Sequence, residues 1–445
     1  MALQRRMLSA GHLGAAGAYP PAKARFVPST GTFPAGFVAG ATATGVKKSG
    51  AKDLALVASP AHPCTVAAVF TTNRFCAAPV QVSRCVLAAT HGTGLRAVLV
   101  NSGCANACTG QRGLDDAWRL ARLVDESLGG PPQAAAPPDA AGTLVMSTGV
   151  IGQPLQMDKI ERGVRSLVGH TGASLASWLA VAEGIMTTDT FPKLLSREFR
   201  APSGATYRMA GWSKGAGMIH PNMATLLSAV FTDASVSKPV LDAAVKFAAD
   251  RSFNAISIDG DTSTNDTFAV VANGASDAPL IDATIGPDFD AFRDNLTAFA
   301  ADLAKLIVRD GEGATKFVEI HVKGARSFAE AKTVASTIAT SPLVKTAIYG
   351  KDANWGRIVC AVGYSGVDVD PSKVNLHFAT LSGTYSQHLF KDGAPFDVSE
   401  ETAAKILEEE DILITVDLGL GSEDARMYTC DFSHEYVSIN ADYRS

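Results

Sequence analysis

The sequence predicts an α/β protein: one observation favours that class, and the length and the composition are consistent with it. Apolar runs with the period of an amphipathic helix alternate along the chain with short apolar runs that are typical of buried strands. The 445 residues are enough for two or three domain-sized units or for one large α/β assembly. The composition, 47% hydrophobic and 19% charged, is ordinary for a globular protein with a substantial core. We therefore expect helices packed against sheets.

In the first half of the chain, short apolar runs predict strands and two longer runs predict helices. The predicted strands cover residues 54–57, 66–70, 80–86, 96–100 and 144–146. A helix is expected over 114–128, where several apolar residues share one face, and another is expected over 175–185. The Pro- and Ala-rich stretch that begins at Pro131 cannot hold a helix or a strand and is expected to be a connection.

The second half continues the alternation of helices and strands. Helices are expected at 240–250, 289–308 and 327–340, and strands at 317–322, 412–418 and 425–432. The segment NAISIDGDTSTNDTFAVV, which follows the first of these helices, is acidic and rich in hydroxyls between apolar flanks. Asp259, Asp261 and Asp266 suggest a calcium loop, but the glycine and the closing glutamate of an EF-hand loop are missing. A hydrogen-bonded turn packed near a site is favoured instead.

Charge, hydropathy and cysteine content argue against several classes of protein. The net charge of −5 gives no electrostatic reason to expect binding to nucleic acid. No run of about 18 apolar residues is present, so no membrane span is predicted. Seven cysteines, an odd number, favour free thiols in a reducing compartment, and Cys104 and Cys108 have no second pair at a spacing that suits a metal. We expect neither a metal nor a cofactor.

The N-terminal segment has the composition of a targeting sequence. No acidic residue precedes Asp53, whereas lysines and arginines are frequent there. Residues 1 to about 25 are rich in Ala, Leu and Gly, and they lack the continuous apolar core of a secretory signal. This pattern predicts a mitochondrial transit peptide over residues 1–25 and a location in the mitochondrial matrix. A disordered basic tail is the alternative.

The stretch from Gly211 to Ala234, GWSKGAGMIHPNMATLLSAVFTDA, carries the strongest chemical signal. Its glycines and the Pro221-Asn222 pair favour a turn, and the run after Thr225 is apolar, so Thr225 lies where an exposed loop enters the core. A threonine hydroxyl becomes a useful nucleophile when a base lies beside it. Once the preceding peptide bond is cut, the α-amine of Thr225 itself, which titrates near pH ~8, can be that base.

The segments KGAGMI, PN and MATLL within this stretch resemble the self-processing site of the ornithine acetyltransferase family, the bifunctional glutamate N-acetyltransferases of arginine biosynthesis. Further family-like motifs are FPAGFVAGATATGVKKSGAKDLALVAS, STGVIG, DGDTSTNDT, KDANWGR and INADYRS, and all occur in family order. The resemblance covers nearly everything from about Phe26 to Ser445.

The resemblance implies both a fold and a division of the chain. The implied fold is a layered αββα-type sandwich, with two sheets between helices and with both halves of the cleaved chain contributing. The chain is expected to cut itself between Ala224 and Thr225, which leaves an alpha chain of residues 26–224 and a beta chain of residues 225–445. Two alpha and two beta chains are expected to form a heterotetramer.

The resemblance also assigns roles to residues that are far apart in the sequence. Thr225 is the nucleophile, and Thr148 and Gly149 form the oxyanion hole, where a hydroxyl and an unhindered backbone N–H can stabilise a tetrahedral intermediate. Substrate contacts are implied for Thr187, Lys214, Thr225, Glu312, Asn440 and Ser445. Two residues depart from the family pattern: Cys104 stands in place of an asparagine, and Ser445 replaces a terminal threonine but keeps the hydroxyl.

The implied activity is acetyl transfer from N2-acetyl-ornithine to glutamate through an acyl-enzyme on Thr225. Some members of the family also take the acetyl group from acetyl-CoA. Two other functions remain open: a self-processed aminopeptidase or amidohydrolase of related fold, in which water clears the acyl-enzyme, and a scaffold without catalysis. The scaffold is disfavoured because the nucleophile Thr225, the oxyanion donors and the side chain of Glu312 are all present. An assay of acetyl release with and without glutamate separates the three.

Overall fold

The computed structural model of the protein describes residues 19–130, 141–220, 226–396 and 398–441. Within these ranges the chain forms three β-sheets with α-helices packed on them, which confirms the predicted α/β class. No helix in the described part is both long enough and apolar enough to cross a membrane. The three largest clusters of buried apolar side chains lie between these layers.

Strands and helices alternate along the described residues. The strands, in chain order, are β1 (Val38–Thr42), β2 (Leu54–Ala58), β3 (Cys64–Phe70), β4 (Thr93–Leu95), β5 (Ala97–Cys104), β6 (Thr143–Val150), β7 (Lys193–Arg200), β8 (Thr206–Lys214), β9 (Leu227–Thr232), β10 (Ile256–Ser257), β11 (Thr267–Ala272), β12 (Phe317–Ala325), β13 (Asn375–Thr380), β14 (Ser386–Lys391), β15 (Ala394–Pro395), β16 (Asp411–Asp417) and β17 (Glu423–Cys430). The helices are α1 (Pro21–Ala24), α2 (Ala78–Thr90), α3 (Gly110–Ser127), α4 (Met157–Val168), α5 (Leu175–Gly184), α6 (Lys238–Asp250), α7 (Pro287–Arg309), α8 (Phe328–Thr340), α9 (Pro342–Tyr349), α10 (Trp355–Gly363), α11 (Glu400–Glu408) and α12 (His434–Ala441).

The strands form sheets of four, six and seven strands. The four-stranded sheet has the order β1-β2-β5-β6, with β5 parallel to β6. The six-stranded sheet has the order β4-β3-β11-β9-β8-β7, with β9 parallel to β11. The seven-stranded sheet has the order β10-β17-β12-β16-β13-β14-β15.

The four-stranded and six-stranded sheets stack between two layers of helices. One face of β9 contributes Leu227, Ala229 and Phe231 to the core shared with the four-stranded sheet, and its other face contributes Val230 to the core under α6 and α7. Helices α2, α3 and α4 pack on the four-stranded sheet. This is the αββα arrangement that the resemblance implied. The seven-stranded sheet, which the sequence did not specify, is a further layer that contacts α7 and is covered by α8.

Local sequence signals explain where several helices begin. Helix α8 begins after Ser327, whose hydroxyl accepts a hydrogen bond from the Glu330 N–H, and such a cap contributes about 1 kcal/mol. Helix α10 begins after Asn354, whose side chain accepts a hydrogen bond from the Arg357 N–H. Helix α7 begins with Pro287, which is favoured there because the first turn of a helix does not use its N–H groups.

The strand predicted over residues 80–86 is wrong, because these residues lie in helix α2. The run is rich in valine and therefore fits a strand, but Pro79 occupies the first turn of a helix. Ser83 exchanges two buried hydrogen bonds with the backbone of Val145 in β6: its hydroxyl donates to the carbonyl at 2.8 Å and accepts from the N–H at 3.0 Å. Residues 80–86 are therefore a helix that packs on the four-stranded sheet, although their local pattern predicted a strand.

Neighbouring strands of the six-stranded sheet place three chain segments at one edge. Strand β8 ends at Lys214, which pairs with Leu227 at the start of β9. Leu227 in turn pairs with Thr267 at the start of β11. Leu226 and Asp266, which precede these two residues, therefore lie next to each other at the edge of the sheet, and this edge forms part of the candidate site.

Candidate active site

A cavity of about 660 Å³ lies at this edge of the six-stranded sheet. It is lined by six of the residues that the sequence assigned to a site, namely Thr148, Gly149, Thr187, Lys214, Glu312 and Asn440. Leu226, which directly follows Thr225 in the chain, also lines it. The other assigned residues, Ala224, Thr225 and Ser445, lie outside the described residues. The cavity thus combines residues from before and after the predicted cleavage point.

Thr148 and Gly149 lie near the end of β6, where the backbones of two strands come very close. Gly149 pairs with Gly103 of β5 and has a φ of 130°, which residues with side chains rarely adopt. A Cβ at position 149 would lie 2.3 Å from the carbonyl carbon of Gly103, so only glycine fits. Thr148 is buried. The two residues bring a hydroxyl and a rigid backbone to one point of the wall, which suits stabilisation of an oxyanion.

Asn265 holds the ends of β5 and β6 in place. Its Nδ2 donates hydrogen bonds to the carbonyl oxygens of Ala105, at 2.6 Å, and Ser147, at 2.9 Å. Asn265 is buried and lines the cavity. The sequence predicted that the turn containing Asn265 packs near the site, but it indicated no role for this side chain. The two hydrogen bonds position the strand end that carries Thr148.

Asp189, which the sequence did not single out, joins Thr187 to Lys214. Its Oδ2 accepts a hydrogen bond from the Thr187 N–H at 2.9 Å and lies 3.9 Å from Nζ of Lys214. Its Oδ1 accepts the Gly215 N–H at 2.7 Å. Burial lowers the pKa of Lys214, and the Asp189 carboxylate opposes that shift. Burial acts to raise the pKa of Asp189, but the ammonium groups of Lys193 and Lys214 hold it below its ordinary value.

Lys193 links Asp189 to Asp310 in a buried ion network. Its Nζ lies 2.6 Å from Oδ1 of Asp189 and 2.6 Å from Oδ2 of Asp310, and its side chain is fully buried. Burial acts to lower the pKa of Lys193, but the two carboxylates raise it above its ordinary value. Oδ2 of Asp310 also accepts the Thr190 N–H at 2.9 Å. Because Asp310 lies two residues before Glu312, the network ties this part of the wall to the part that contains Lys214.

Glu312 and Asn440 contact each other in the cavity wall. Nδ2 of Asn440, in α12, donates a hydrogen bond to Oε2 of Glu312 at 2.9 Å. The Glu312 N–H donates to the carbonyl oxygen of Ala216 at 2.8 Å. A Cβ at position 217 would lie 2.3 Å from Oε2 of Glu312, so Gly217 makes room for the carboxylate. A carboxylate held in this way is suited to bind an ammonium group.

Asp259 holds the segment that precedes the predicted cut. Its carboxylate accepts hydrogen bonds from the N–H groups of Met218, at 2.5 Å, and Ile219, at 2.8 Å. The hydroxyl of Tyr436 in α12 donates to it at 3.2 Å. Burial raises the pKa of Asp259, and its backbone hydrogen bonds oppose that shift. In the described ranges, no group of three or more His, Cys, Asp or Glu side chains is arranged to hold a metal ion.

Asp266 lies directly beside the residue that follows Thr225. Its side chain is fully buried, and its Oδ1 accepts a hydrogen bond from the Leu226 N–H at 2.7 Å. Burial raises the pKa of Asp266 well above its ordinary value, while the Leu226 N–H, the Lys214 ammonium and a hydrogen bond with the Thr71 side chain oppose the shift. The sequence marked Asp266 only as a possible calcium ligand, because the pairing of β9 with β11 that places it here is not visible in a local pattern.

Cys104, which departs from the family pattern, is not among the residues that line the cavity. Its side chain is buried, and its Sγ lies 3.2 Å from the carbonyl oxygen of Gln153. Burial raises the pKa of the Cys104 thiol. This cysteine therefore acts as a packed core residue.

Residues 38–445 match the model of the ArgJ family. The chain is 52% identical over 442 residues to the arginine biosynthesis bifunctional protein ArgJ, mitochondrial, of Blastomyces gilchristii, a match that covers 96% of this chain and 93% of that protein. It is 53% identical over 425 residues to the protein of the same name from Yarrowia lipolytica, with 95% and 96% covered. The crystal structure of the arginine biosynthesis bifunctional protein argJ from Bacillus halodurans is 42% identical, with a TM-score of 0.44, and the match covers 47% of this chain and 96% of that one.

Proposed function

This chain belongs to the ArgJ family of bifunctional arginine-biosynthesis proteins, and we propose that it transfers the acetyl group of N2-acetyl-L-ornithine to L-glutamate. It is a mitochondrial enzyme, as the names of its relatives from B. gilchristii and Y. lipolytica indicate. One observation carries the proposal: a single cavity joins a buried lysine, a carboxylate paired with an amide and the end of β6 around the residue that follows Thr225. The lysine suits the carboxylate of an amino-acid substrate, the carboxylate suits its α-nitrogen, and the end of β6 suits the oxyanion that forms on the acetyl group.

The cavity wall suits the frame of an α-amino acid. Lys214 lies 3.9 Å from Asp189, which is longer than a hydrogen bond, so its ammonium group retains donors for a substrate carboxylate. Glu312, with Asn440 beside it, can bind the α-amino group of ornithine or glutamate. Ornithine and glutamate share this frame, so one cavity can serve the donor and the acceptor. We assign Thr187 and Ser445 to the same substrate contacts.

The proposed transfer has two chemical steps. The hydroxyl of Thr225 attacks the acetyl carbonyl of acetylornithine, and the α-amine of Thr225 takes the hydroxyl proton. Thr148 and Gly149 stabilise the oxyanion, ornithine leaves with a proton, and the acetyl group remains as an ester on Thr225. Glutamate then enters, its α-amine attacks the ester, and N-acetylglutamate leaves with Thr225 restored.

The free α-amine requires that the chain first cut itself between Ala224 and Thr225, which gives chains of residues 26–224 and 225–445. The six-stranded sheet is compatible with such a cut, because it combines strands from both sides of it: β3, β4, β7 and β8 come before the cut, and β9 and β11 come after it. Pairing of β8 with β9 runs from Lys214↔Leu227 to Met209↔Thr232. The two fragments can therefore stay together as one folded unit. We propose that two such pairs form a heterotetramer.

Acetyl-CoA is the proposed donor for the second activity of a bifunctional enzyme. It would load the same hydroxyl of Thr225, after which glutamate would clear the ester as before. The acceptor site formed by Glu312 and Asn440 is then shared by both activities.

Trapping of the acetyl group tests the proposed transfer. Incubation of the cut enzyme with acetylornithine alone should add one acetyl mass to the fragment that begins at Thr225, and added glutamate should remove it. Plots of reciprocal rate against reciprocal acetylornithine should stay parallel as glutamate varies, because an acyl-enzyme separates the two half-reactions.

Three other outcomes would point to a different mechanism or function. Intersecting lines without a trapped acetyl group would indicate direct transfer in a ternary complex. Rapid release of acetate in the absence of glutamate would indicate an amidohydrolase, in which water clears the acyl-enzyme. A chain that neither traps nor releases acetyl would be a scaffold.

A Glu312→Gln variant should bind glutamate and ornithine more weakly. Both ligands carry a free α-ammonium group, and glutamine retains the shape of glutamate but not its charge. Loss of a charge-assisted hydrogen bond costs about 1.5–3 kcal/mol, which is roughly ten- to a hundred-fold in affinity. The KM for glutamate and the inhibition constant of ornithine measure the effect. Glu330→Gln, on α8 and outside the cavity lining, is the matched control, and equal KM values for both variants would contradict the assignment.

We propose that the transit peptide ends before Tyr19, earlier than the predicted end near residue 25, because residues of this segment contact the folded chain. Residues 1–18 of the predicted peptide lie outside the described residues. The Tyr19 hydroxyl donates to Glu183 at 2.8 Å, Lys23 donates to the carbonyl oxygen of Arg309 at 2.5 Å, and Arg25 pairs with Glu410 at 2.6 Å. These contacts support a mature chain that keeps Tyr19.

Mass spectrometry of the first fragment from mitochondria is expected to show an N-terminus at or before Tyr19, and residues 1–18 should direct a fused reporter into the organelle. A mature chain that begins near residue 26 would show instead that the transit peptide extends to about residue 25. A reporter that stays in the cytosol would show that the segment is a basic tail and not a transit peptide.

A further inference from the structure

Glu312 and Asn440 reach the cavity from two segments that are distant in the sequence. Glu312 lies in a tight turn, in which the Ala314 N–H donates a hydrogen bond to the carbonyl oxygen of Gly311 at 2.9 Å. Asn440 lies in α12, 128 positions later in the chain. A hydrogen bond tolerates only a narrow range of distance and angle, so the bond of 2.9 Å between their side chains requires the turn and the helix to keep a fixed relative position.

Packing of apolar side chains does little to hold α12 in this position. All eight residues of the helix are described, and none of them is buried. A helix of this length is also marginal when it stands alone. Its contacts include a hydrogen bond of 3.2 Å from the Tyr436 hydroxyl to Asp259 and an edge-on contact of His434 with Tyr349, whose ring centroids are 5.5 Å apart. Polar contacts at the start of the helix are therefore important for its position.

Ser433, which directly precedes α12, contacts both the helix and the turn. Its hydroxyl accepts a hydrogen bond from the Tyr436 N–H at 3.3 Å, which is the pattern of a helix N-cap. The same hydroxyl donates to the carbonyl oxygen of Gly313 at 2.6 Å, and Gly313 directly follows Glu312. Ser433 is buried, so loss of its hydroxyl would leave the Gly313 carbonyl without this partner in a place that water reaches poorly. One hydroxyl thus joins the start of α12 to the turn that carries Glu312.

Gly313 allows the turn and the helix to approach this closely. It has a φ of 69°, and a Cβ at this position would lie 2.6 Å from the backbone nitrogen of Tyr436 and 2.7 Å from Oγ of Ser433. A residue with a side chain would therefore push the helix away from the turn. Asp431 holds the far side of the same turn, because its Oδ1 accepts the Thr315 N–H at 2.8 Å.

We propose that Ser433 is a positioning residue for the site that binds the substrate amino group; this rests on the acetyl transfer proposed above and adds the contact that aligns the two side chains of that site. Ser433 acts by holding α12 against the turn, so that the amide of Asn440 stays on Oε2 of Glu312. The carboxylate is then held in one orientation before glutamate or ornithine arrives, which reduces the entropy that binding must lose.

A double-mutant cycle tests this role in the purified enzyme. The affinity for ornithine, by calorimetry, and the KM for glutamate are measured for wild type, Ser433→Ala, Glu312→Gln and the double variant. Ser433→Ala should weaken both ligands by roughly three- to tenfold, as expected for one hydrogen bond, and should change the rate at saturating substrate by less than about twofold. In the Glu312→Gln background the same substitution should weaken them by less than about twofold, because the group through which Ser433 acts is already lost.

Ser327→Ala is the matched control for loss of a helix cap. Ser327 also directly precedes a helix, and its hydroxyl accepts the Glu330 N–H at 3.2 Å. Helix α8, which it begins, contributes no residue to the cavity lining. Because this variant loses a cap of the same kind without a contact to the Glu312 turn, it should bind both ligands as the wild type does.

Each outcome decides either this role or the function beneath it. Unchanged binding by Ser433→Ala, or equal weakening in the wild-type and Glu312→Gln backgrounds, would overturn the positioning role. If Ser433→Ala does not fold, as judged by circular dichroism, Ser433→Cys takes its place under the same criteria, since it keeps the shape of the side chain but is a weaker donor. A wild-type enzyme that binds neither ornithine nor glutamate would instead remove the proposed function on which this role rests.

Discussion

A Thr225→Ala variant is expected to remain one uncut chain and to lose acetyl transfer. Alanine lacks the hydroxyl that we propose attacks the preceding carbonyl and carries the acetyl group, so both reactions should lose their nucleophile. Because removal of a catalytic nucleophile abolishes nearly all of an enzyme's rate enhancement, the transfer rate should fall by at least roughly 10³-fold. A denaturing gel measures the cleavage, and formation of N-acetylglutamate measures the transfer.

Two controls make the result specific to the hydroxyl. Thr225→Ser keeps the hydroxyl and loses only the methyl group, so it should still be cut and should retain part of the transfer activity. Thr206→Ala changes an exposed threonine at the start of β8 and should behave as the wild type. Cleavage of the alanine variant at the bond between residues 224 and 225 would contradict the nucleophilic role of Thr225.

The six-stranded sheet makes the uncut variant a meaningful comparison. Pairing of β8 with β9 and of β9 with β11 does not require a free terminus at Thr225, since it involves Lys214 and Leu227 onward. We therefore expect the uncut and the cut chain to share the same fold. A loss of activity in the alanine variant can then be attributed to chemistry rather than to unfolding.

Most of the fold could be predicted because its elements have strong local patterns. The helix expected at 289–308 is α7 (Pro287–Arg309), since its buried side chains repeat at helical spacing and proline marks its start. The prediction at 80–86 was wrong because its valines favour a strand when the local pattern is read alone. In the structure the same residues form a helix that packs on β6. The order of strands in the seven-stranded sheet depends on pairings between distant segments, such as β12 with β16, which no local pattern indicates.

The candidate site was predicted in its outline but not in its supporting contacts. Resemblance identified Lys214, Glu312 and other wall residues, and the structure places the described ones in one cavity. Their catalytic roles stay predictions. The sequence could not indicate that Lys193 pairs with Asp310, because the two are 117 positions apart and neither belongs to a recognisable motif. The sequence marked Asp266 only as a possible calcium ligand, since its place beside Leu226 depends on the pairing of β9 with β11.

A Lys193→Met variant is expected to lose about 3–5 kcal/mol of folding free energy, because removal of one partner from a buried ion network leaves uncompensated charge. Lys193 is fully buried between Asp189 and Asp310, at 2.6 Å from each. Methionine fills a similar volume, so loss of packing contributes little. Urea denaturation at neutral pH measures the difference.

Lys323→Met is the matched control for exposure. Lys323 also faces a carboxylate, Asp417, at 3.4 Å, but its side chain is 47% exposed. Exposed pairs are worth at most about 1 kcal/mol, so this variant should lose far less. A double variant, Lys193→Met with Asp310→Asn, removes the carboxylate that is left without a cation, while Asp189 still faces Lys214 at 3.9 Å, and it should recover part of the stability that Lys193→Met loses.

The pH dependence of the Lys193→Met variant follows from the two carboxylates that remain. Without Lys193, burial raises the pKa of Asp310 in the folded state above the value of about 3.9 that aspartate has when unfolded, and the pKa of Asp189 rises in the same direction, although the Lys214 ammonium still opposes that shift. The folded variant then binds more protons than the unfolded chain, so its stability falls as pH rises through the raised pKa values. The deficit relative to wild type should therefore shrink when the urea titration is repeated near about pH 5. A deficit that is the same at both pH values, or no larger than that of Lys323→Met, would show that charge in this network does not stabilise the cavity wall.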